Sequence, residues 1–151
     1  MKYIIKKIEA DAFDAIRNQR IDPLEKIELE DRYIRIQTGV DECYAVFIDD
    51  QVIADVTLTF KSSDASAVIE DIRVYLSGLF VSEPYRNMKI ATSLLEYVIL
   101  ELSKTKYCEI SVLVDNQNLP AHALYTKIGF EREKSYIVEE WTFDLLVYKI
   151  W

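Results

Sequence analysis

Residues 69–114 constrain the fold more than any other part of this chain. Ile69 to Val81 is almost continuously apolar, which predicts a strand that is buried on both faces. Residues 88–104 carry their large apolar side chains on one helical stripe, and Tyr107 to Val114 alternates apolar with polar residues, as a half-buried strand does. Two strands joined through a helix of this length pair in parallel. We therefore expect an α/β protein.

Further strands and helices are predicted on both sides of this unit. Their β-branched and aromatic composition predicts strands at Lys2–Ile8, Cys43–Ile48, Val52–Phe60, Phe130–Val138 and Thr142–Ile150. Helices are predicted over residues 10–17, with Phe13 and Ile16 facing the core, and over Ile21–Ile36. Because no repeat or linker interrupts this order, we expect one domain over residues 1–151. Its architecture should be a central mixed sheet of about seven strands flanked by helices.

Charge and hydropathy exclude several classes of protein. The 18 basic and 26 acidic residues give a net charge of −8 and a pI near 4.7. This balance disfavours nucleic-acid binding, because phosphate contacts need a basic face, and is easier to reconcile with a neutral or cationic substrate. No segment approaches the roughly 20 apolar residues of a membrane helix, and residues 1–7 lack the pattern of a signal peptide. We therefore expect a cytoplasmic protein that binds neither nucleic acid nor a membrane.

The cysteines and the single histidine indicate neither a disulfide nor a metal site. Cys43 and Cys108 lie 65 positions apart in apolar segments, without C-x-x-C spacing. This pattern predicts two reduced core thiols. His122 is the only histidine, so we expect no metal site of the histidine-rich kind and place this residue on the surface of its helix.

Residues 79–92 connect the predicted central strand to the next helix and form a candidate anion site. Free backbone N–H groups at the start of a helix, aligned with the helix dipole, attract anions. The segment lacks the two glycines and the Lys-Ser/Thr pair of a nucleotide-binding P-loop. An ordinary strand-to-helix turn is the alternative interpretation.

Residues 118–130 form a second candidate segment, with the pattern Asn-x-x-Ala-x-x-Leu-Tyr-x-x-x-Gly-Phe. Asn118 is suited to cap a helix and Gly129 to end it. Tyr125 follows Asn118 by about two helical turns, which puts both residues near one face and lets both contribute to one cleft. The alternatives are that Asn118 is only an N-cap and that Tyr125 is only a core residue.

The two segments resemble hallmarks of the GNAT N-acetyltransferase superfamily. The first is similar to its Arg-x-x-Gly-x-Ala/Gly motif, matched here by Arg86, Lys89 and Ala91, and the second is the more specific match. The resemblance implies a GNAT-like fold in which two central strands separate and the co-substrate, acetyl-CoA, lies between them. It also implies a set of cofactor-binding residues: Leu79, Val81, Arg86, Asn87, Lys89, Ala91, Thr92 and Asn118. Tyr125 takes the family's catalytic position, that of the proton donor to the departing thiolate.

Lys89 stands where the family motif usually has its first glycine. A Cβ restricts both the backbone conformation and the approach to phosphate, so the loop would bind less tightly. A residue in helical dihedrals needs no glycine, however, and the Lys89 ammonium could add a charge near a phosphate. We expect Lys89 to be tolerated.

The resemblance implies an N-acetyltransferase that transfers the acetyl group of acetyl-CoA to a primary amine of a small molecule or protein. Glu70, Asp71 and Tyr75, near the central strand, are the candidates for a general base. Lys89 and the lack of an obvious base suggest an alternative, a catalytically weak GNAT-fold module that binds CoA or a partner. A second alternative is an unrelated α/β ligand-binding domain.

The aromatic residues near the C-terminus predict self-association. The edge of a small sheet should not expose so many of them, and exposed aromatic patches often mark interfaces. We expect a homodimer that uses the last strands, through these side chains: Trp141, Phe143, Tyr148 and Trp151.

Overall fold

The structure, a computed structural model, describes residues 2–17 and 23–151. Its strands are β1 (Ile4–Ile8), β2 (Asp41–Ile48), β3 (Gln51–Thr59), β4 (Arg73–Val81), β5 (Glu109–Asp115), β6 (Glu131–Val138) and β7 (Trp141–Lys149). Its helices are α1 (Asp14–Arg17), α2 (Pro23–Gln37), α3 (Ile90–Ser103) and α4 (Leu119–Ile128), with 3₁₀ turns at Ala10–Ala12 and Glu83–Tyr85. No helix among these is long and apolar enough to cross a membrane.

The seven strands form one mixed sheet in the order β1-β2-β3-β4-β5-β7-β6. β4 and β5 are parallel, and every other neighbouring pair is antiparallel. The parallel pair is the one predicted from the strand, helix, strand unit, and the mixed sheet flanked by helices is confirmed. Ile21 and Asp22, at the start of the second predicted helix, lie outside the described residues.

The central strand β4 differs from its prediction at both ends. It begins at Arg73 rather than Ile69, because residues 70–72 form a turn in which Asp71 has a φ of 64°. The prediction that both faces are buried is wrong for its second half, where Gly78 is exposed and residues 79–81 are half-buried. Apolar side chains at a strand end can therefore line an open cleft rather than a core.

Two hydrophobic clusters hold the helices on opposite faces of the sheet. One joins α3 and α4 to the central strands and includes Val46 and Tyr44; the other joins α1 and α2 to β1–β3 and includes Cys43 and Ala45. Neighbouring β2 residues alternate between the clusters because successive side chains of a strand point to opposite faces. The second cluster contains Phe13 and Ile16, as predicted.

Both cysteines are free thiols, as the sequence predicts, but the prediction that both lie in the core is wrong for Cys108, which is half-buried. Cys43 is completely buried, and burial raises the pKa of its thiol to about 12. Because a protonated, buried thiol is unreactive, Cys43 belongs to the core.

A bulge in β4 separates the two parallel strands. Between Ser77 and Phe80, β4 has one more residue than β3 has between Thr57 and Asp55, and Gly78 within this bulge has a φ of 67°. β4 pairs with β5 only as far as Leu76, although it continues to pair with β3 up to Val81. The bulge thus marks the point at which β4 leaves β5 and a gap opens in the sheet.

Candidate functional site

The gap between β4 and β5 exposes backbone groups of β4. The Ser82 N–H donates to the Ile53 carbonyl at 2.8 Å, so the backbone of Ser82 faces β3. Because backbone groups alternate in direction along a strand, those of Leu79 and Val81 face the opposite side, toward the gap. Backbone groups at such a position need a partner. The two predicted backbone contacts therefore line the gap.

Arg86 lies at the open end of this gap. Its Nε donates to the Val81 carbonyl at 2.9 Å, and its guanidinium carbon is 5.7 Å from the centre of the Phe80 ring. The side chain is otherwise exposed. The predicted anion-binding arginine is thus held beside the end of β4 with its remaining N–H groups available to a ligand.

The loop that leads from Arg86 into α3 contains two left-handed residues. Asn87 has a φ of 64° and Lys89 a φ of 62°. The expectation that Lys89 needs no glycine because it is helical is therefore wrong, since Lys89 is the N-cap of α3 and lies outside the helical region. This conformation favours glycine, because a Cβ meets the following carbonyl oxygen there.

The first turn of α3 is left without a side-chain cap. Lys89 makes no capping hydrogen bond to the described part of the chain, so the first N–H groups of the helix, from Ile90 to Thr92, are available to an anion or to water. The start of α4 differs, because the Asn118 side chain accepts a hydrogen bond from the Ala121 N–H at 3.2 Å. Asn118 is therefore an N-cap, as one of the two interpretations predicted. The cap uses only the side-chain oxygen, so the amide NH₂ group of Asn118 takes no part in it.

Tyr125 is a buried residue of α4. It is 5% exposed, and its ring packs edge-on against Phe130 with 5.2 Å between the ring centres. Burial raises the pKa of Tyr125, and the neighbouring Tyr75 phenol raises it further. Tyr75 pairs with Ser111 just before β4 and β5 separate, so the interaction between the two phenols places Tyr125 beside the gap. The hydroxyl stays protonated at neutral pH, as a proton donor requires.

The three candidate bases do not lie together in the structure. Glu70 and Asp71 are exposed in the turn before β4, and Asp71 pairs with Lys106 at 2.6 Å. They lie at the paired end of β4 and β5, away from the gap, because β4 continues for roughly 17 Å between Arg73 and Gly78. Tyr75 lies beside the gap, but burial and the Asp64 carboxylate raise its pKa, while Arg32 lowers it. A raised pKa suits a hydrogen-bond donor better than a base.

His122 is not the free surface residue that the sequence predicts. Its side chain is 23% exposed, and Nε2 lies 3.3 Å from a carboxylate oxygen of Asp144, which also accepts a hydrogen bond from Ser135 at 2.6 Å. Nε2 forms no hydrogen bond with any described residue. The two atoms are therefore close, but their geometry is not that of a hydrogen bond. Asp144 is distant in sequence, so helical spacing alone could not reveal this contact.

Sequence reasoning missed Gly78 and Arg32. A Cβ on Gly78 would lie 2.1 Å from Nη1 of Arg32, a buried residue of α2. The signal for Gly78 was present, because a lone glycine within a strand pattern indicates a bulge or a close approach. Arg32 had no signal, since its partner lies 46 positions away on another element.

Replacing Lys89 with glycine should stabilise the protein without ligand. The change removes a left-handed strain of about 1–2 kcal/mol, and the greater freedom of glycine in the unfolded chain offsets roughly half of it. We expect a rise in Tm of about 1–4 °C, read by circular dichroism.

Lys104→Gly is the matched control for Lys89→Gly. Lys104 is an exposed lysine at the other end of α3, where φ is −87°. Because that conformation suits any residue, glycine there should leave Tm unchanged or lower it. Equal Tm changes in the two variants would contradict the strain at Lys89.

Comparison with known proteins supports the resemblance. A family model described as "Acetyltransferase (GNAT) family" matches residues 5–130. No match was found among curated protein sequences.

Solved structures share the fold over nearly the whole chain. The ribosomal-protein-S18-alanine N-acetyltransferase from Escherichia coli has 19% identity and a TM-score of 0.78, covering 99% of this chain and 94% of its own. Arabidopsis thaliana NAA60 in complex with acetyl-CoA has 20% identity and a TM-score of 0.74, covering 99% of both chains. PaiA N-acetyltransferase from Thermoplasma acidophilum, in complex with coenzyme A, has 17% identity and a TM-score of 0.73, with 99% of both chains covered. At these identities the similarity concerns the fold.

Proposed function

The chain belongs to the acetyltransferase (GNAT) family, and on that premise we propose that it transfers the acetyl group of acetyl-CoA to a primary amine of a small molecule or protein. The strongest support for this proposal is the gap between β4 and β5. β4 leaves β5 at the Gly78 bulge, and this gap has free backbone groups along one side and a protonated tyrosine beside it. The first feature can position the arm of a long thioester, and the second can supply a proton to its leaving thiolate.

The residues around the gap fit the chemistry of both the pantetheine arm and the pyrophosphate of acetyl-CoA. Its pantetheine arm carries amides, which match the backbone groups of Leu79 and the Val81 N–H that face the gap, since the Val81 carbonyl already accepts from Arg86. Its pyrophosphate is an anion, which matches the uncapped start of α3 with Arg86 beside it. The proposed binding set is the one predicted from sequence: Leu79, Val81, Arg86, Asn87, Lys89, Ala91, Thr92 and Asn118. NAA60 and PaiA, which have the same fold, were solved with acetyl-CoA and coenzyme A.

The chain's own groups carry the reaction at the far end of the gap. Acetyl-CoA supplies the acyl group as a thioester. The lone pair of the neutral acceptor amine forms the new C–N bond while the C–S bond breaks, and the Tyr125 hydroxyl gives its proton to the sulfur. The proton that the nitrogen loses in becoming an amide passes to water. Backbone N–H groups just after the bulge stabilise the negative charge that develops on the carbonyl oxygen. The Tyr125 phenol then regains a proton from solvent.

The net charge and the proteins that share this fold support an amine acceptor that is a small molecule or a protein. The protein carries a net charge of −8, which attracts cationic amines. The Escherichia coli relative acts on an alanine of a ribosomal protein, as its name says, so the fold accommodates a protein acceptor. The free thiols of Cys43 and Cys108 support a reducing compartment and hence the predicted cytoplasmic location.

The test is acetyl-CoA turnover with a panel of amines, measured by release of free thiol. The panel contains a polyamine, free amino acids and short peptides with free N-termini. We expect at least one amine to raise thiol release above the rate of hydrolysis. The left-handed Lys89 favours the alternative, a catalytically weak CoA-binding module. Thermal stabilisation by acetyl-CoA without turnover of any amine would establish that alternative instead.

We also propose a homodimer, through a smaller surface than the sequence suggested. Trp141 and Trp151 cannot share one patch, because they lie at opposite ends of β7, roughly 30 Å apart. Phe143 and Tyr148 are half-buried. The exposed apolar side chains that adjoin each other on one face of this hairpin are instead Val138 (55% exposed) and Trp141 (48%), which pair across β6 and β7, whereas Ile137 (78%) points to the other face. We call Val138 and Trp141 the hairpin patch.

Light scattering at micromolar concentration should give twice the 17.6 kDa mass of one chain. A charge placed in the hairpin patch, Val138→Lys, should convert the dimer to a monomer because it would be desolvated in the interface. Trp151→Ser, which removes an exposed aromatic outside the patch, should leave the dimer intact. A monomeric wild-type chain contradicts the proposal.

A further inference from the structure

Arg32 is a buried cation with an incomplete set of partners. It is 7% exposed, and the other buried arginine of the described residues is Arg73, at 4%. Arg73 is fully engaged, with hydrogen bonds to two carboxylates, those of Glu109 and Glu133, and to the Ser66 carbonyl. Among the residues that the structure describes, Arg32 has one carboxylate and one hydroxyl as partners, and its Nε has none. Ion pairing alone therefore does not explain why Arg32 is buried.

The partners of Arg32 aim its guanidinium at the β4 bulge. Nη2 donates to a carboxylate oxygen of Glu28 at 2.7 Å, one helical turn earlier on α2. Nη1 donates to the Thr57 hydroxyl on β3 at 3.0 Å. Two fixed hydrogen bonds on different elements leave a planar guanidinium with little freedom to rotate.

The guanidinium occupies the place where a side chain at position 78 would lie. A Cβ built on Gly78 would be 2.1 Å from Nη1 and 2.9 Å from both Cζ and Nη2. Gly39 has a similar φ of 79° but no atom within 4 Å of its Cβ position. Glycine at 78 is therefore favoured by its backbone conformation and also required by the position of Arg32, whereas glycine at 39 is favoured by conformation alone.

The contact matters because Gly78 is the residue at which β4 turns away from β5. Glycine has the largest conformational freedom of any residue, so a glycine bulge needs outside support to keep one geometry. The backbone groups that follow the bulge are those proposed to face the thioester. A displacement of about 1 Å at a reacting centre can cost up to about 10²-fold in rate.

We propose that Arg32 is a positioning residue for acyl transfer: its guanidinium, held by Thr57 and Glu28, packs on Gly78 and fixes the bulge that aims the following backbone N–H groups at the thioester. This role rests on the proposed acetyl transfer. Arg32 acts through Gly78 rather than through the cofactor, so the binding of acetyl-CoA depends on it only weakly.

The test is a double-mutant cycle in Arg32 and Gly78. With the amine that the wild-type chain uses fastest, Arg32→Met and Gly78→Ala should each lower kcat by roughly tenfold, with the KM for acetyl-CoA within about threefold of wild type. The double variant should also lose roughly tenfold rather than a hundredfold, because removing the guanidinium makes room for the Cβ. Additive losses would show that the two residues act separately and would overturn the role.

Two controls separate positioning from general damage. Gly39→Ala carries the same left-handed cost without the contact, so it should change Tm but not kcat. Arg35→Met removes an arginine one turn along α2 that pairs with Asp41 and Glu28, and it too should keep kcat. If Gly78→Ala does not fold, Arg32→Met and Arg32→Lys decide alone. Either variant with wild-type kcat overturns the role, whereas a wild-type chain that releases no thiol with any amine overturns the proposed function and this role with it.

Discussion

Tyr125→Phe should lower kcat by about 10²-fold while leaving the affinity for acetyl-CoA nearly unchanged. The change removes the hydroxyl that is proposed to protonate the departing thiolate, but it keeps the ring that packs against Phe130. Because burial raises the pKa of Tyr125, the hydroxyl is protonated throughout the neutral range. The loss should therefore be the same between about pH 6.5 and 8.5, well below the ordinary tyrosine pKa.

Tyr148→Phe is the matched control for this prediction. Tyr148 belongs to the same aromatic cluster, with its ring centre 5.4 Å from that of Phe130, but it is proposed to have no part in the reaction. It should retain wild-type turnover. Tyr125→Ala should in addition cost about 3–5 kcal/mol of stability, because it leaves a cavity where a buried ring stood.

A purely structural role for Tyr125 gives the opposite result. The burial of the ring fits either role, so only the hydroxyl separates them. Wild-type turnover in Tyr125→Phe, measured with saturating acetyl-CoA and an amine for which chemistry limits the rate, would make Tyr125 a core residue. The thiolate would then be protonated by solvent.

The order of strands and helices was predictable because each element carries its own local pattern. The parallel β4–β5 pair follows from a strand, a helix and a strand between Arg73 and Asp115, and the handedness of such connections leaves few other arrangements. The ends of α4 follow from Asn118 and Gly129, which cap and stop a helix by their own side-chain and backbone properties.

The parts that escaped prediction depend on contacts between distant residues or on backbone conformation. Arg32 and Gly78 meet only because the Arg32 side chain reaches from α2 past Thr57 on β3 to β4. His122 on α4 and Asp144 on β7 are likewise brought together by tertiary packing. The left-handed φ of Lys89 had no local signal, because lysine is neutral or favourable in a helix and the family's glycine is absent. Local spacing thus located the candidate site, while tertiary packing determined how its bulge is held.

Arg86→Glu should remove most of the stabilisation that acetyl-CoA gives to the folded protein. At about 100 times its dissociation constant, a ligand that binds only the native state stabilises it by roughly 2.7 kcal/mol. For a chain of this size that corresponds to a Tm increase of roughly 5–10 °C. A carboxylate beside the uncapped start of α3 would repel the pyrophosphate, so the variant should show little increase in Tm.

Arg132→Glu controls for the change of two charge units, because Arg132 is an exposed residue of β6 away from the loop. Arg86→Lys then distinguishes the two contacts that Arg86 can make. A lysine keeps the positive charge beside the phosphates but cannot reproduce the planar contact of Nε with the Val81 carbonyl while presenting further N–H groups outward. If Arg86 acts by charge, Arg86→Lys should keep most of the acetyl-CoA-dependent Tm increase and Arg86→Glu should lose it. If Arg86 only ties the loop to β4, both variants should lose it equally, and an unchanged increase in Arg86→Glu would show that the anion site lies elsewhere.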